Sequence, residues 1–141
     1  MSMLVWNPEW ETGIWKIDQQ HRELLRQIEV LMLAVHANEA EVRIPRLLGF
    51  LAGYVDKHFQ DEEIEMEASA YPGLAGHRAI HDEMRGQVAG LVLQHKTNPA
   101  VISEEVLNFL TDWLVNHING EDRRMAKHLV RWASNQAQAQ P

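Results

Sequence analysis

Five histidines, a glutamate and an aspartate in this chain of 141 residues stand at spacings that bring metal-ligand atoms together. His58 and Glu62 are four residues apart, as are His77 and His81, so each pair projects from one face of a helix. His21 lies in an earlier apolar stretch. His117 lies in a later one, with Asp122 five residues beyond it. A buried face tolerates neither an unpaired carboxylate nor a crowd of unsatisfied imidazoles, and a shared cation relieves both. Six-coordinate nitrogen and oxygen donors suit iron or manganese. The seven candidates exceed a single coordination shell. They fit two octahedral ions sharing two bridging carboxylates and an oxo or hydroxo group. Asp122 is the awkward member, because five residues on a regular α-helix turn its side chain about 140° away from His117. Gly120, between the two, is placed to relax the helix and bring Asp122 inward.

The elements that must position these groups follow from apolar spacing at three and four residues. His21, Leu24, Leu25, Ile28, Leu31, Met32 and Val35 mark one helical face, which fades near Asn38, with Asp18 as the expected N-cap. A second face starts near Val42 and carries Ile44, Leu47, Leu48, Leu51, Val55, His58, Phe59 and Glu62. Pro45 fits only its first turn, and Tyr71-Pro72-Gly73 ends it. A third runs from about Leu74 to Leu93 with His77, Ile80, His81, Met84, Val88, Leu91 and Val92. The fourth starts near Pro99 or Ser103, where Glu104 and Glu105 meet the positive end of the helix. It carries Val106, Trp113 and His117, bends at Asn119-Gly120 and continues through Met125, Leu129 and Trp132. Four helical segments of about 30 Å with short connections predict an all-α, up-down-up-down antiparallel bundle. In that topology His21 is early in the first helix, His58 late in the second, His77 and His81 early in the third, and His117 late in the fourth. All five therefore fall at one level of the bundle.

Composition narrows the chemistry. With no Cys among the 8 His, thiolate metal sites, disulfides and cysteine nucleophiles are excluded. A formal charge of -7 argues against a nucleic-acid partner, since phosphate backbones attract basic patches. The start MSMLVWNPEW has neither the basic residues nor the apolar run of a signal peptide, and no stretch suits a membrane span, so a cytoplasmic location is expected. Three residues before the core histidines stand Asp18, Val55, Leu74, Arg78 and Leu114, so the Glu-x-x-His pairs of ferritin-like di-iron bundles are absent. HExxH, GxGxxG and P-loop motifs are absent too. The expected organisation is one bundle domain over residues 1–133, including a Trp-rich arm over 1–17 that covers an end of the core. A polar, frayed tail follows over 134–141.

These residues resemble the hemerythrins, specifically their single-domain bacterial branch. The matching stretches are GIWKIDQQH to His21, HFQDEE from His58, His77-x-x-x-His81, and WLVNHINGED through His117 to Asp122. The combined pattern is specific, although each piece alone is weak. The resemblance implies reversible O2 binding at a non-haem di-iron centre. His77, His81 and His117 would hold a coordinatively filled iron. His21 and His58 would hold the other, which keeps an open position, with Glu62 and Asp122 bridging beside an oxo or hydroxo group. Leu25, Ile28, Phe59, Ile80, Met84 and Trp113 are the candidate walls of an apolar O2 pocket. Many family members carry Phe where this chain has Met84, so the shape of that pocket is the point of departure.

The function expected is oxygen storage or delivery to an oxygen-using enzyme, by a monomer that is not itself an enzyme. The alternatives are an O2 or redox sensor and a di-iron redox enzyme acting on peroxide or nitric oxide. His36, His95 and His128 fall outside the ligand level and are expected at the surface. The acidic run Asp61–Glu67, apart from Glu62, is expected to be a solvated face. Asp18 has a second possible role as a hydrogen-bond partner near His21.

Overall fold

Helix-forming stretches separated by short breaks fold into a bundle because each apolar stripe needs a partner. The computed structural model describes residues 6–39 and 43–139. Helix α1 spans Trp15–His36, α2 Ile44–Ala68, α3 Leu74–Thr97, α4 Glu104–His117 and α5 Arg123–Ala139. A π-helical turn, Ile118–Asp122, joins α4 to α5, so the two act as the fourth member of the bundle. Helix α1 packs on α2 and α4, and α2 packs on α3. No strand occurs among the described residues.

Local chemistry sets the helix ends. After α1, Asn38 takes the left-handed conformation (φ 58°), and the Glu39 N–H donates to the Ala34 carbonyl at 3.0 Å. After α2, Ala70 does the same at φ 54°, with Tyr71 N–H donating to the Met66 carbonyl at 2.9 Å. Both closures satisfy carbonyls that the helix end leaves free. Pro45 sits in the first turn of α2, as its missing N–H requires. Ser103 caps α4 through its hydroxyl, which accepts from the Val106 N–H at 3.3 Å. The expected helix start near Val42 lies outside the described residues.

Several local expectations change. Asp18 is not the N-cap of α1, whose cap is Ile14; its carboxylate instead accepts from the Thr12 N–H and hydroxyl, both at 2.8 Å, and pins the arm to the helix. Within the arm, Trp6 and Trp10 pack on the core while Trp15 is 77% exposed. Within the polar tail, Ser134 to Ala139 is exposed and helical rather than frayed. His95 is buried, and His128 is half-buried with its Nε2 at 2.9 Å from the Ser69 carbonyl oxygen; only His36 sits at the surface.

Two apolar clusters result. The larger contains Leu24, Leu31, Leu48, Leu51, Phe59, Val88, Leu107 and Leu114, and the smaller contains Ile17, Met66, Met125 and Leu129. His21 lies between Ile17 and Leu24 along α1, and Glu62 between Phe59 and Met66 along α2. The polar level is thus closed off on both sides by hydrocarbon.

Candidate metal centre

The structure brings all seven expected residues to that level and buries them: His21, His58, His81, Glu62 and Asp122 are 0% to His77 at 4% exposed, with His117 between. The α-helical spacing of four delivers His58 with Glu62 and His77 with His81. Asp122 arrives by a different device. The π-turn places the residue five after His117 on the same face, and Asp122 Oδ1 comes to 3.0 Å from His117 Nε2. A π-turn is an i→i+5 solution that apolar periodicity cannot reveal. A Cβ built at Gly120 meets nothing within 4 Å, so the turn does not need a bare glycine there for space.

The two carboxylates divide the histidines. Glu62 Oε1 faces His81 Nε2 at 3.1 Å and His77 Nε2 at 3.5 Å. Its Oε2 faces His58 Nε2 at 3.1 Å and His21 Nε2 at 3.4 Å. Asp122 Oδ1 faces His77 and His117, each at 3.0 Å, and its Oδ2 faces His21 at 3.0 Å. Two donor groups result, His77–His81–His117 and His21–His58, each with Glu62 and Asp122. Within the first, the Nε2 atoms of His81 and His117 stand only 3.2 Å apart.

These inward atoms lack partners suited to them. Both oxygens of Glu62, both of Asp122 and Nε2 of His21, His58 and His77 are buried without an aligned hydrogen bond. Leaving such groups unsatisfied costs about 1–3 kcal/mol each, and more when charged. The electrostatics call for positive charge in their midst. Burial pulls the His21 imidazole down, but the adjacent Asp122 and Glu62 carboxylates outweigh it and raise its pKa to about 9. His77 is likewise raised to about 9, against burial, by the same two carboxylates. Burial pushes the Glu62 carboxyl up, yet His58, His21 and His77 hold it well below the usual range. Asp122 is also held low, against burial and the repulsion of Glu62, by His117 and His21. The donor set therefore fits cations: metal charge takes the place that protons must otherwise fill.

Aromatic rings and outer hydrogen bonds fix the imidazoles. Phe59 stacks on His81 at 3.9 Å between centroids and 5° between planes, and Trp113 stacks on His117 at 4.7 Å and 13°. His58 Nδ1 lies 2.7 Å from Gln20 Oε1, and His81 Nδ1 lies 2.7 Å from Glu63 Oε2. Sequence reading missed both partners. Gln20 neighbours a ligand but carries no ligand chemistry, and Glu63 is 18 residues from the histidine it meets. The acidic run is thus not a simple solvated face, since Asp61 and Glu63 are half-buried and engaged, while Glu65 and Glu67 are exposed.

An apolar cavity of about 30 Å³ adjoins the rings, lined by residues including Ile28, Phe59, Met84 and Trp113. Leu24 lines it where Leu25 was expected, and Ile80 is not in its wall. Leu51, Val55, Val88, Leu110 and Leu114 complete it.

Fold and site together define a four-helix bundle built around a buried cluster of metal-ligand side chains. Residues 12–129 match the profile of the hemerythrin HHE cation binding domain. The chain is 32% identical over 126 residues to a bacteriohemerythrin of Stenotrophomonas maltophilia, covering 89% of this chain and 81% of that one. It is 33% identical over 125 residues to a bacteriohemerythrin of Methylococcus capsulatus, covering 87% and 94% respectively. A crystal structure of wild-type hemerythrin superposes with a TM-score of 0.85 at 29% identity, covering 91% of this chain and 98% of that one. The chain belongs to the hemerythrin family. Among the described residues, no helix is long and apolar enough to cross a membrane.

Proposed function

We propose that this protein binds O2 reversibly at two non-haem iron ions. His77, His81 and His117 would hold one ion and His21 and His58 the other, with Glu62 and Asp122 bridging and an oxo or hydroxo group between. The observation that carries this reading is the division of each carboxylate's two oxygens between the two histidine groups. Five donors face one position and four face the other, so the second position is the one left with room for an exogenous ligand. All donors are nitrogen or oxygen, which suits iron, whereas a set of five exceeds the four-coordinate preference of structural zinc.

Held by these residues, a pair of Fe(II) ions would supply electrons for the reversible binding of O2. The chain's own residues do the rest. The stacked Phe59 and Trp113 rings keep two imidazoles in place, and the same rings wall the apolar cavity that admits a small neutral molecule and disfavours water. On this reading the chain is a monomeric cytoplasmic carrier that stores O2 or delivers it to an oxygen-using enzyme, and is not itself an enzyme. The test is anaerobic loading with Fe(II), then alternating air and argon while the visible spectrum is followed. A charge-transfer band that appears in air and disappears under argon supports the reading. Failure to load iron, or a band that never reverses, overturns it.

A further inference from the structure

All five imidazoles turn Nε2 toward the centre, but their outer nitrogens meet different chemistry. His58 Nδ1–H donates to Gln20 Oε1 at 2.7 Å. Gln20 can only accept there, because its Nε2 donates to Asp61 Oδ2 at 2.7 Å. Asp61 is held in turn by Lys57 at 3.0 Å and Lys16 at 3.7 Å. His81 Nδ1–H donates to Glu63 Oε2 at 2.7 Å, and Glu63 is clamped by both terminal nitrogens of Arg85, at 2.8 and 3.2 Å. His117 Nδ1 lies 3.5 Å from Glu121 without a hydrogen bond, and buried His21 Nδ1 has none either. His81 of the larger group therefore leans on a carboxylate, whereas His58 of the smaller group leans on a neutral amide. A carboxylate acceptor draws the Nδ1 proton outward and makes Nε2 a stronger donor to a cation; an amide fixes the tautomer with a weaker pull.

We infer that Gln20 and Glu63 are positioning residues that make the two cation sites unequal, Glu63 tightening the His77–His81–His117 site through His81 and Gln20 keeping the His21–His58 site weaker. This rests on the two-ion reading above. The ion that faces fewer protein donors is then also the one whose His58 ligand is backed by an amide in place of a carboxylate. The inequality of the pair is built into its surroundings as well as its ligand count.

The experiment is a titration of the full chain with Co2+ under argon, followed by visible absorption and chelator competition, with thermal melts confirming the fold. The wild type binds in two steps, a tighter and a weaker. Glu63→Gln is expected to weaken the tighter step about tenfold or more and to leave the weaker step in place. The double variant Gln20→Glu with Asp61→Asn, which keeps a donor facing residue 20, is expected to tighten the weaker step by a similar factor. A merely structural role cannot produce that gain. The double variant also carries the test if Glu63→Gln does not fold. Two steps with wild-type affinities in both variants, or equal losses in both steps, overturn the inference and leave two-ion binding intact. A single wild-type step that takes up two ions per chain overturns this inference alone, and saturation at one ion per chain overturns the two-ion reading and this inference with it.

Discussion

Met84 lines the apolar cavity beside the candidate centre. The variant Met84→Phe puts a larger, stiffer group into that space. Cavity volume costs about 24 cal/mol per Å³, so a void of about 30 Å³ forfeits about 0.7 kcal/mol. Filling it recovers at most that amount, a rise in melting temperature of about 2 °C for a domain of this size. The same change removes the room that O2 would enter. The expected outcome is a metal-free protein as stable as the wild type or slightly more so, whose iron-loaded form takes up O2 more slowly in stopped-flow mixing. Met84→Ala should act oppositely on both counts, losing about 2–5 kcal/mol and opening the pocket. Unchanged uptake by a stably folded Met84→Phe variant would refute the role of the cavity. A loss of more than about 1 kcal/mol in that variant would show that the space was already filled.

Other consequences follow from the same geometry. His58→Ala removes a ligand of the smaller group alone, so metal analysis should give about one ion per chain in place of two; full loading would refute the division of the histidines. In the metal-free protein His21 and His77 have pKa values raised to about 9, so their contribution to stability is present below about 6.5 and is lost as pH rises through about 9. Melting temperatures of the metal-free form should therefore fall over that window while the loaded form holds steady, and metal uptake at neutral pH should release about two protons into an indicator dye. Gly120→Ala should be neutral or stabilise by up to about 1 kcal/mol without altering metal content, since a Cβ there meets nothing within 4 Å. Lost metal in that variant would show that the π-turn depends on glycine.

What could be read in advance divides along physical lines. Helix positions and the common level of five histidines follow from periodicity, which is set by backbone geometry and survives any detail of packing. The Ser103 start of α4 and the break at Tyr71 were legible for the same local reason. Asp122 could not be read from periodicity, because a π-turn violates the spacing that periodicity relies on; it was reached through the bend expected at Gly120 and through the family pattern. The acceptors Gln20 and Glu63 were not legible. Their partners lie 38 and 18 residues away, and a neutral amide or an acid in an acidic run carries no mark of such a role. Asp18 misled because its charge suits a helix start, yet it lies inside the first turn and reaches back to Thr12 and Gly13. His95 misled in the other direction. Its place near a polar helix end suggests solvent, but the chain buries it.

The central claim is that the buried pair of donor groups holds two irons that take up O2 and give it back unchanged. The most direct measurement loads the reduced protein with isotopically labelled O2, purges it, and analyses the recovered gas and the iron content together. The account predicts about one labelled O2 recovered intact for every two irons. Label found in water or peroxide, or a chain carrying no more than one iron, would contradict it.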